Sequence, residues 1–261
     1  MPTTARTANN ADRVSTRTEA ARTARTLSSA VLVGAVSGFL VGGVLGRLAM
    51  RLLTLTSPDE LRGRITDDAA VVGDITLGGS IALALFTTFV GIFGGIGYLA
   101  ARRAMPHSRF SRVLLFALLS MSVGGALLLH DHPSFDFSAL QPTWLAVALF
   151  LVLPILYGLL VATGIEWASR PDSWMQRLPL PIPATTAALI SIPAIPVVLP
   201  ASLLAFAVRL VPALHQLWSS RLVSITAVGV YILLVAWGLY GIATDVYSMA
   251  TDKPSRAPFT V

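Results

Sequence analysis

Cysteine is absent from this sequence of 261 residues, and lysine occurs once, as Lys253. The lack of cysteine excludes disulfides, thiolate metal sites, iron–sulfur clusters and cysteine nucleophiles. No Gly-Lys-Ser/Thr sequence is present, so a phosphate-binding loop for ATP hydrolysis is excluded as well. The remaining eighteen basic residues are all arginine.

Charged residues are also scarce, at 12% against 54% hydrophobic residues. Soluble domains carry about twice this charged fraction. Uncharged runs of 17 or more residues recur along the chain, and each is about long enough to cross a bilayer core. The sequence therefore predicts an all-α polytopic membrane protein. Its net charge of +6 then indicates membrane topology and anionic lipid as the partner, rather than nucleic acid.

Known catalytic motifs are missing. The chain has no Gly-x-Ser-x-Gly elbow and no His-Glu-x-x-His, and Val72-Gly73-Asp74 lacks the first glycine of the intramembrane aspartyl protease motif. Carboxylates within apolar segments are nearly absent, with Asp245 the nearest candidate. We therefore predict a non-catalytic accessory or scaffold protein without metal or cofactor. The alternative is a small transporter or channel for an anionic solute.

Six membrane spans are predicted within a transmembrane domain over residues 27–249. An arginine-containing segment, residues 1–26, has no apolar periodicity and is predicted to be a disordered cytoplasmic tail. We expect an uncleaved anchor rather than a signal peptide at the first apolar run. Residues 250–261 are predicted to be a short cytoplasmic C-terminal tail. The predicted spans are Leu27–Met50, Ser80–Ala101, Arg112–His130, Thr143–Ile165, Ala184–Val208 and Leu222–Tyr247.

The distribution of basic residues predicts the orientation. With the N-terminus inside and six spans, thirteen basic residues lie inside and six outside, the latter including Arg209 and Arg221. Cytoplasmic segments of membrane proteins are enriched in arginine and lysine. Both termini are therefore predicted to be cytoplasmic, in the cell membrane.

The outer loop after the first span is predicted to be structured. Ser57-Pro-Asp-Glu60 has the pattern of a helix-capping box, and Gly63 would end the short helix that it begins. Residues 64–76 alternate β-branched residues with aspartate and glycine, which indicates a hairpin-like turn.

Glycine recurs at every fourth position in the first span, at Gly34, Gly38, Gly42 and Gly46. Such a face lets helix backbones approach closely in lipid. Gly91 and Gly95 offer a matching face on the second span. Packing within the chain is the simplest interpretation, while a homo-oligomer, contact with another membrane protein and a narrow pore remain alternatives.

Arg47 and Arg51 lie four residues apart beside this glycine face. Both could extend to the outer interface as anchors, or pair with acids of the outer loop. Alternatively they form an outward-facing site for an anion or lipid headgroup, since guanidinium groups match phosphate and carboxylate.

Proline interrupts the fifth span at Pro193, Pro196 and Pro200. Each interior proline removes a helix hydrogen bond, so this span is predicted to be kinked or broken. Discontinuous helices bind substrate in transporters, which is the basis of the transporter alternative.

Two polar loops could hold a metal. Asp67, Asp68 and Asp74 offer oxygen ligands without EF-hand spacing, and His130 and His132 are flanked by carboxylates. Ordinary loop polarity explains both groups equally well. A metal-dependent lipid-modifying enzyme would be the functional alternative.

The inner loop after the fourth span begins with Glu166 and contains Trp167 and Trp174, which we interpret as interfacial anchors.

The runs Gly46-Arg-Leu-Ala-Met-Arg-Leu-Leu53, Ile65-Thr-Asp-Asp68 and Gly73-Asp-Ile-Thr-Leu-Gly78 are familiar. Over roughly residues 30–105 the sequence resembles a loose group of actinobacterial-type multi-pass membrane proteins. That group has no assigned activity, so the resemblance implies a membrane location and a span pattern, and it implies no functional residue.

Overall fold

The computed structural model describes residues 3–56, 76–129, 142–211, 214, 216, 218 and 220–251, with side chains from Thr16 onward except those of Thr143 and residues 249–251. The described residues contain helices and no strand, which confirms the all-α class. The helices are α1 (Thr3–Gly38), α2 (Gly46–Thr56), α3 (Leu77–Ala101), α4 (Arg109–Leu129), α5 (Thr143–Ala168), α6 (Trp174–Arg177), α7 (Pro181–Ile190), α8 (Ile195–Leu210) and α9 (Arg221–Thr251). A π-helical segment (Phe39–Leu45) joins α1 to α2, and a 3₁₀ turn (Ile192–Ala194) precedes α8.

Six of the helical stretches are long and apolar enough to cross a membrane, as the sequence predicted. They are Thr16–Thr56, Leu77–Ala101, Arg109–Leu128, Trp144–Ala168, Ile192–Leu210 and Arg221–Ser248.

The first helix differs from the prediction, because residues 3–26 are helical rather than disordered. No glycine or proline occurs between Thr3 and Val33, so nothing in the sequence interrupts a helix that continues from the membrane segment. The hydroxyls of Thr23, Thr26 and Ser29 each donate to the carbonyl four residues earlier, which keeps these side chains satisfied on the helix.

Helix α1 packs against α3 through glycine. A Cβ atom added at Gly38 would lie 2.8 Å from the Cα of Gly91, and one added at Gly34 would lie 3.2 Å from the Cα of Gly95. Neither position can hold a side chain unless the backbones separate. The predicted glycine face is therefore occupied inside this chain, by α3.

The π-helical segment changes which glycines take part. Gly42 still faces Thr87, but a Cβ at Gly46 would meet nothing nearer than the Val41 carbonyl, at 3.8 Å. Gly43 makes the next contact with α3 instead, since a Cβ added there would lie 3.3 Å from the Cα of Ala84. A π turn holds more than four residues, so it rotates the following helix and removes Gly46 from the predicted face.

Helix α5 runs antiparallel to α4. A Cβ added at Gly158 would lie 2.7 Å from the Cα of Ala117, and one at Gly124 would lie 3.1 Å from the side chain of Pro154. Near the start of α4, Tyr98 of α3 packs against α4 and α5. Its ring meets that of Phe116 edge to face, with 4.9 Å between the ring centroids. The main core lies here, with Val161 and Ile165 fully buried.

Helix α9 runs parallel to α4, which the sequence did not predict. The Tyr231 hydroxyl donates to the Leu115 carbonyl at 2.9 Å, and farther along α9 Ile242 contacts Gly125. Ile242 also packs against the cluster of Leu53, near the end of α2, and Ala146, near the beginning of α5. The end of α9 therefore lies at the same end of the bundle as the end of α2.

The predicted fifth span is folded into a helical hairpin. Ala187 of α7 and Val198 of α8 both pack in the cluster of Val31 and Ile92. Eight residues beyond Val198, Phe206 lines the same cavity as Ala24 of α1. Helix α8 therefore returns beside α7 toward the beginning of α1.

The bundle consequently has two different ends. The arginine-rich end comprises the early part of α1, the connections 102–108 and 169–180, and the described residues between Val211 and Ser220. The distal end comprises the ends of α2 and α4 and the beginnings of α3 and α5. Helix α1 enters from the arginine-rich end and α9 finishes at the distal end, whereas six alternating crossings would bring both helix ends to the same side. The physical reason is the hairpin, which returns the chain to the end from which it started.

Candidate functional site

The most distinctive group of side chains surrounds Glu166, in the last turn of α5. Its carboxylate is 7% exposed, which makes it one of the few buried charges of the described chain. A charge buried without partners is very costly, so its surroundings are informative.

Four side chains meet this carboxylate. The Tyr98 hydroxyl donates to Oε1 at 2.8 Å, while Arg102 Nε lies 3.1 Å and Arg112 Nη1 3.3 Å from the same oxygen. Arg109 Nε lies 4.0 Å from Oε2. Three guanidinium groups therefore converge on one carboxylate. We call Glu166 and its three arginines, Arg102, Arg109 and Arg112, the Glu166 cluster.

Local structure explains the convergence. Helix α3 ends at Ala101 and α4 begins at Arg109, so the short connection between them brings Arg102 and Arg112 to neighbouring helix ends. Arg112 Nε also donates to the Pro106 carbonyl at 3.0 Å, and Met105 is buried beneath the turn. These contacts fix Arg112, which is only 13% exposed.

The connection after α5 is braced to α1 beside this cluster. The Ser173 hydroxyl and the side-chain amide of Gln176 both donate to the Ala168 carbonyl, at 2.9 and 3.2 Å. Arg25 Nη1 donates to the main-chain carbonyl of Gln176 at 2.6 Å. The arginine-rich end is thus joined by hydrogen bonds across α1, α5 and α6.

Arg103 points to a different partner. Its guanidinium carbon lies 4.7 Å from the centroid of the Trp218 ring, within the range of a cation–π contact. Burial lowers the pKa of the Arg103 guanidinium from its usual value.

Charge is not balanced in the Glu166 cluster, because three arginines share one carboxylate. Each guanidinium offers five N–H donors, whereas a carboxylate has about four acceptor positions. Exposure rises from Glu166 through Arg112 to Arg102, at 32%, and Arg109, at 58%. The cluster is closed around the carboxylate and open to solvent on the arginine side, so it can hold an additional anion.

Arg47 and Arg51, the predicted anion site, lie on α2 toward the distal end. Arg51 is exposed. Arg47 is partly exposed, with its Nη2 3.1 Å from where a Cβ of Gly79 would lie. Its Nε is buried and has no hydrogen-bond partner within the described residues.

The prolines of the predicted break lie in the other half of the bundle. Pro193 is within the 3₁₀ turn, Pro196 in the first turn of α8 and Pro200 inside α8. The hairpin tip packs against Val31 and Ala35, more than ten residues before Arg47 on the same long helix. Ten residues of helix span about 15 Å, so the structure does not bring Arg47 and the helix break into one site.

Other candidates lie outside the described residues, namely the capping box at Ser57, Asp67, Asp68, Asp74, His130 and His132. Over the ranges that the structure does describe, no three His, Asp or Glu side chains are grouped so as to hold a metal.

The Glu166 cluster was not predicted from the sequence, although the sequence contains a usable signal. The predicted topology has Glu166 and the four arginines at 102, 103, 109 and 112 on the same side of the membrane. A single acid at a helix end facing several arginines across short connections is a reasonable candidate for an ion-pair cluster.

The chain matches no protein-family model, and comparison with curated proteins and with solved structures gives no match. The function must therefore be inferred from the residues of this chain.

Proposed function

We propose that this multi-pass membrane protein is a non-catalytic accessory or scaffold protein of the cytoplasmic membrane, with its arginine-rich end in the cytoplasm. The observation that carries the proposal is the continuity of α1. The helix begins at Thr3 and enters the bundle without a break, so residues 3–22 form an arm about 30 Å long. Arg17 and Glu19 on this arm are exposed, and the arm is braced at Arg25.

The distribution of arginine supports the orientation. Among residues whose side chains are described, two arginines lie toward the distal end, Arg47 and Arg51, and eleven lie at the arginine-rich end. Arginine accumulates on the cytoplasmic side of membrane proteins. The eleven are Arg17, Arg22, Arg25, Arg102, Arg103, Arg109, Arg112, Arg170, Arg177, Arg209 and Arg221.

The placement of charge favours a scaffold over a transporter. Within the described ranges, the charged side chains lie toward the two ends of the bundle, and none lies beside the hairpin tip at Ser191–Ala194. Transporters of charged solutes place polar or charged groups near the middle of the membrane. The bacterial source and the membership of an actinobacterial-type group stay predictions.

Site-specific photo-cross-linking in cells tests the scaffold. A photoreactive residue at Arg17 or Glu19 should give a discrete cross-linked product, whereas the same residue at Trp237, which is 55% exposed on the apolar surface of α9, should react with lipid. If the arm positions give no product and Trp237 gives one, the arm is not the contact surface and the proposal fails.

Transport by the predicted anion site is the second candidate, and the buried Nε of Arg47 favours it. Purified protein in vesicles should show no uptake of phosphate, sulfate or small carboxylates above that of empty vesicles. Uptake that Arg47→Ala abolishes and Arg170→Ala retains would establish transport and contradict the scaffold. Arg170 is the matched control because it is an exposed arginine at the other end.

A further inference from the structure

The Glu166 cluster contains more positive charge than the fold requires. One arginine would neutralise the buried carboxylate, yet Arg102 and Arg112 both contact Oε1 and Arg109 approaches Oε2. Two positive charges are left over within one small volume. Holding like charges together is unfavourable unless an additional anion compensates them.

The arginines are also held ready for such an anion. Arg112 is held between Glu166 and the Pro106 carbonyl and is only 13% exposed, so it contributes mainly its charge to the solvent-facing side of the cluster. Arg102 and Arg109 approach Glu166 through Nε, and the two terminal nitrogens of each guanidinium carry further N–H donors. These nitrogens present the paired N–H donors that bind phosphate oxygens in a bidentate manner.

The depth of the cluster matches that of lipid headgroups. Arg102 directly follows the apolar stretch that ends at Ala101, and Arg109 begins the next one. Glu166 lies two residues before the apolar stretch of α5 ends. The guanidinium groups therefore lie where a bilayer changes from hydrocarbon to headgroup, and basic pockets between helices on the cytoplasmic side bind anionic headgroups.

We propose that Arg102 and Arg109 bind a phosphate group, supplied by an anionic phospholipid of the inner leaflet, and that Glu166 positions these arginines. The choice of leaflet rests on the proposed function, whereas the phosphate site itself rests only on the cluster. The same donors would accept inorganic phosphate, so the test separates the two sources.

The test compares the full-length protein with the double variant Arg102→Gln/Arg109→Gln, both purified in detergent. Phosphatidylglycerol or phosphatidylcholine is added, and bound lipid is counted by native mass spectrometry while the thermal midpoint is recorded. Phosphatidylglycerol should bind the wild type and raise its midpoint, and its affinity for the double variant should fall about tenfold or more, since charge-assisted hydrogen bonds are lost. Arg170→Gln, an exposed arginine at the same end, should bind as the wild type does.

Each outcome is decisive. Equal phosphatidylglycerol affinity in the wild type and the double variant would overturn the site and leave the cluster as an internal ion pair. Stabilisation by inorganic phosphate alone, lost in the double variant, would assign the site to free phosphate instead of lipid. Binding in detergent needs no membrane orientation, so a wrong orientation would contradict the proposed function without changing this result.

Positioning by Glu166 has a separate readout. Glu166→Gln keeps an acceptor for Tyr98 but removes the charge that gathers the arginines. Its phosphatidylglycerol affinity should fall although the net positive charge rises by one. If Glu166→Gln instead binds the lipid more tightly, charge alone governs binding and the positioning role is wrong.

Discussion

Arg103 lies over the ring of Trp218, with 4.7 Å between the guanidinium carbon and the ring centroid. The two residues are on the connections before α4 and before α9. Since they touch, both connections are at the arginine-rich end, and α4 and α9 leave that end in the same direction. This one contact distinguishes a chain that crosses the bundle five times and folds a hairpin from a chain that crosses it six times.

Cysteine labelling of the cysteine-free chain tests this arrangement. Ser220→Cys, just before α9, should react with an impermeant thiol reagent only in broken cells, whereas Tyr247→Cys, 70% exposed near the end of α9, should react in whole cells. Thr16→Cys serves as the internal reference. Labelling of Ser220→Cys in whole cells together with protection of Tyr247→Cys would restore the six-crossing arrangement.

Removal of the buried carboxylate should destabilise the protein. Glu166→Gln leaves three arginines facing one another, and breaking a buried charge pair costs about 3 kcal/mol. Thermal unfolding in detergent measures the change. Asp172→Asn is the matched control, an exposed acid on the connection after α5, and it should shift stability by no more than about 0.5 kcal/mol. Equal effects of the two variants would mean that the cluster contributes no stability.

The contact between α1 and α3 predicts opposite effects of the same substitution at two sites. Gly91→Ala places a methyl group against the backbone of Gly38, 2.8 Å from its Cα, and should cost about 1–3 kcal/mol because the helices must separate. Gly97→Ala, six residues farther along α3, meets nothing within 4 Å and should be neutral or stabilising by up to about 1 kcal/mol. The difference in unfolding free energy between the two variants is the quantity to measure.

A hydrogen bond from a tyrosine between two helices predicts a smaller loss of stability. The Tyr157 hydroxyl of α5 donates to the Gly91 carbonyl at 2.7 Å, beside the same helix contact. Tyr157→Phe should therefore lower stability by about 1 kcal/mol. Tyr240→Phe is its control, since Tyr240 is 72% exposed on α9. A loss of the same size at Tyr240 would show that the effect comes from detergent or lipid contacts.

The class of the fold could be predicted from the sequence because hydropathy and span length are local properties. Leu77–Ala101 and Trp144–Ala168 lie within a few residues of their predicted bounds. The glycine spacing also located the face of α1 that meets α3. Gly46 does not lie on this face, because the π-helical segment rotates the helix that follows it. The positions of the glycines do not predict a π-helical segment.

The hairpin could not be predicted from length, because its two arms together are as long as one span. The prolines indicated a break at the correct place, but a kink within a span and a reversal of the chain have the same local sequence. The reversal depends on the packing of Ala187 and Val198 in the cluster that contains Val31, more than 150 positions earlier. Arg209 and Arg221 were a clue, since the six-span model placed both on the arginine-poor side.

The unequal number of helices in the two directions has an electrical consequence. Among the described membrane helices, α1, α4 and α9 start at the arginine-rich end, α3 and α5 start at the distal end, and the hairpin arms cancel each other. One helix macrodipole, with roughly half an elementary charge at each end, is left uncompensated, and its positive end coincides with the arginines. If that end faces a negatively charged cytoplasm, the membrane potential itself stabilises this orientation, by roughly 1 kcal/mol per 100 mV.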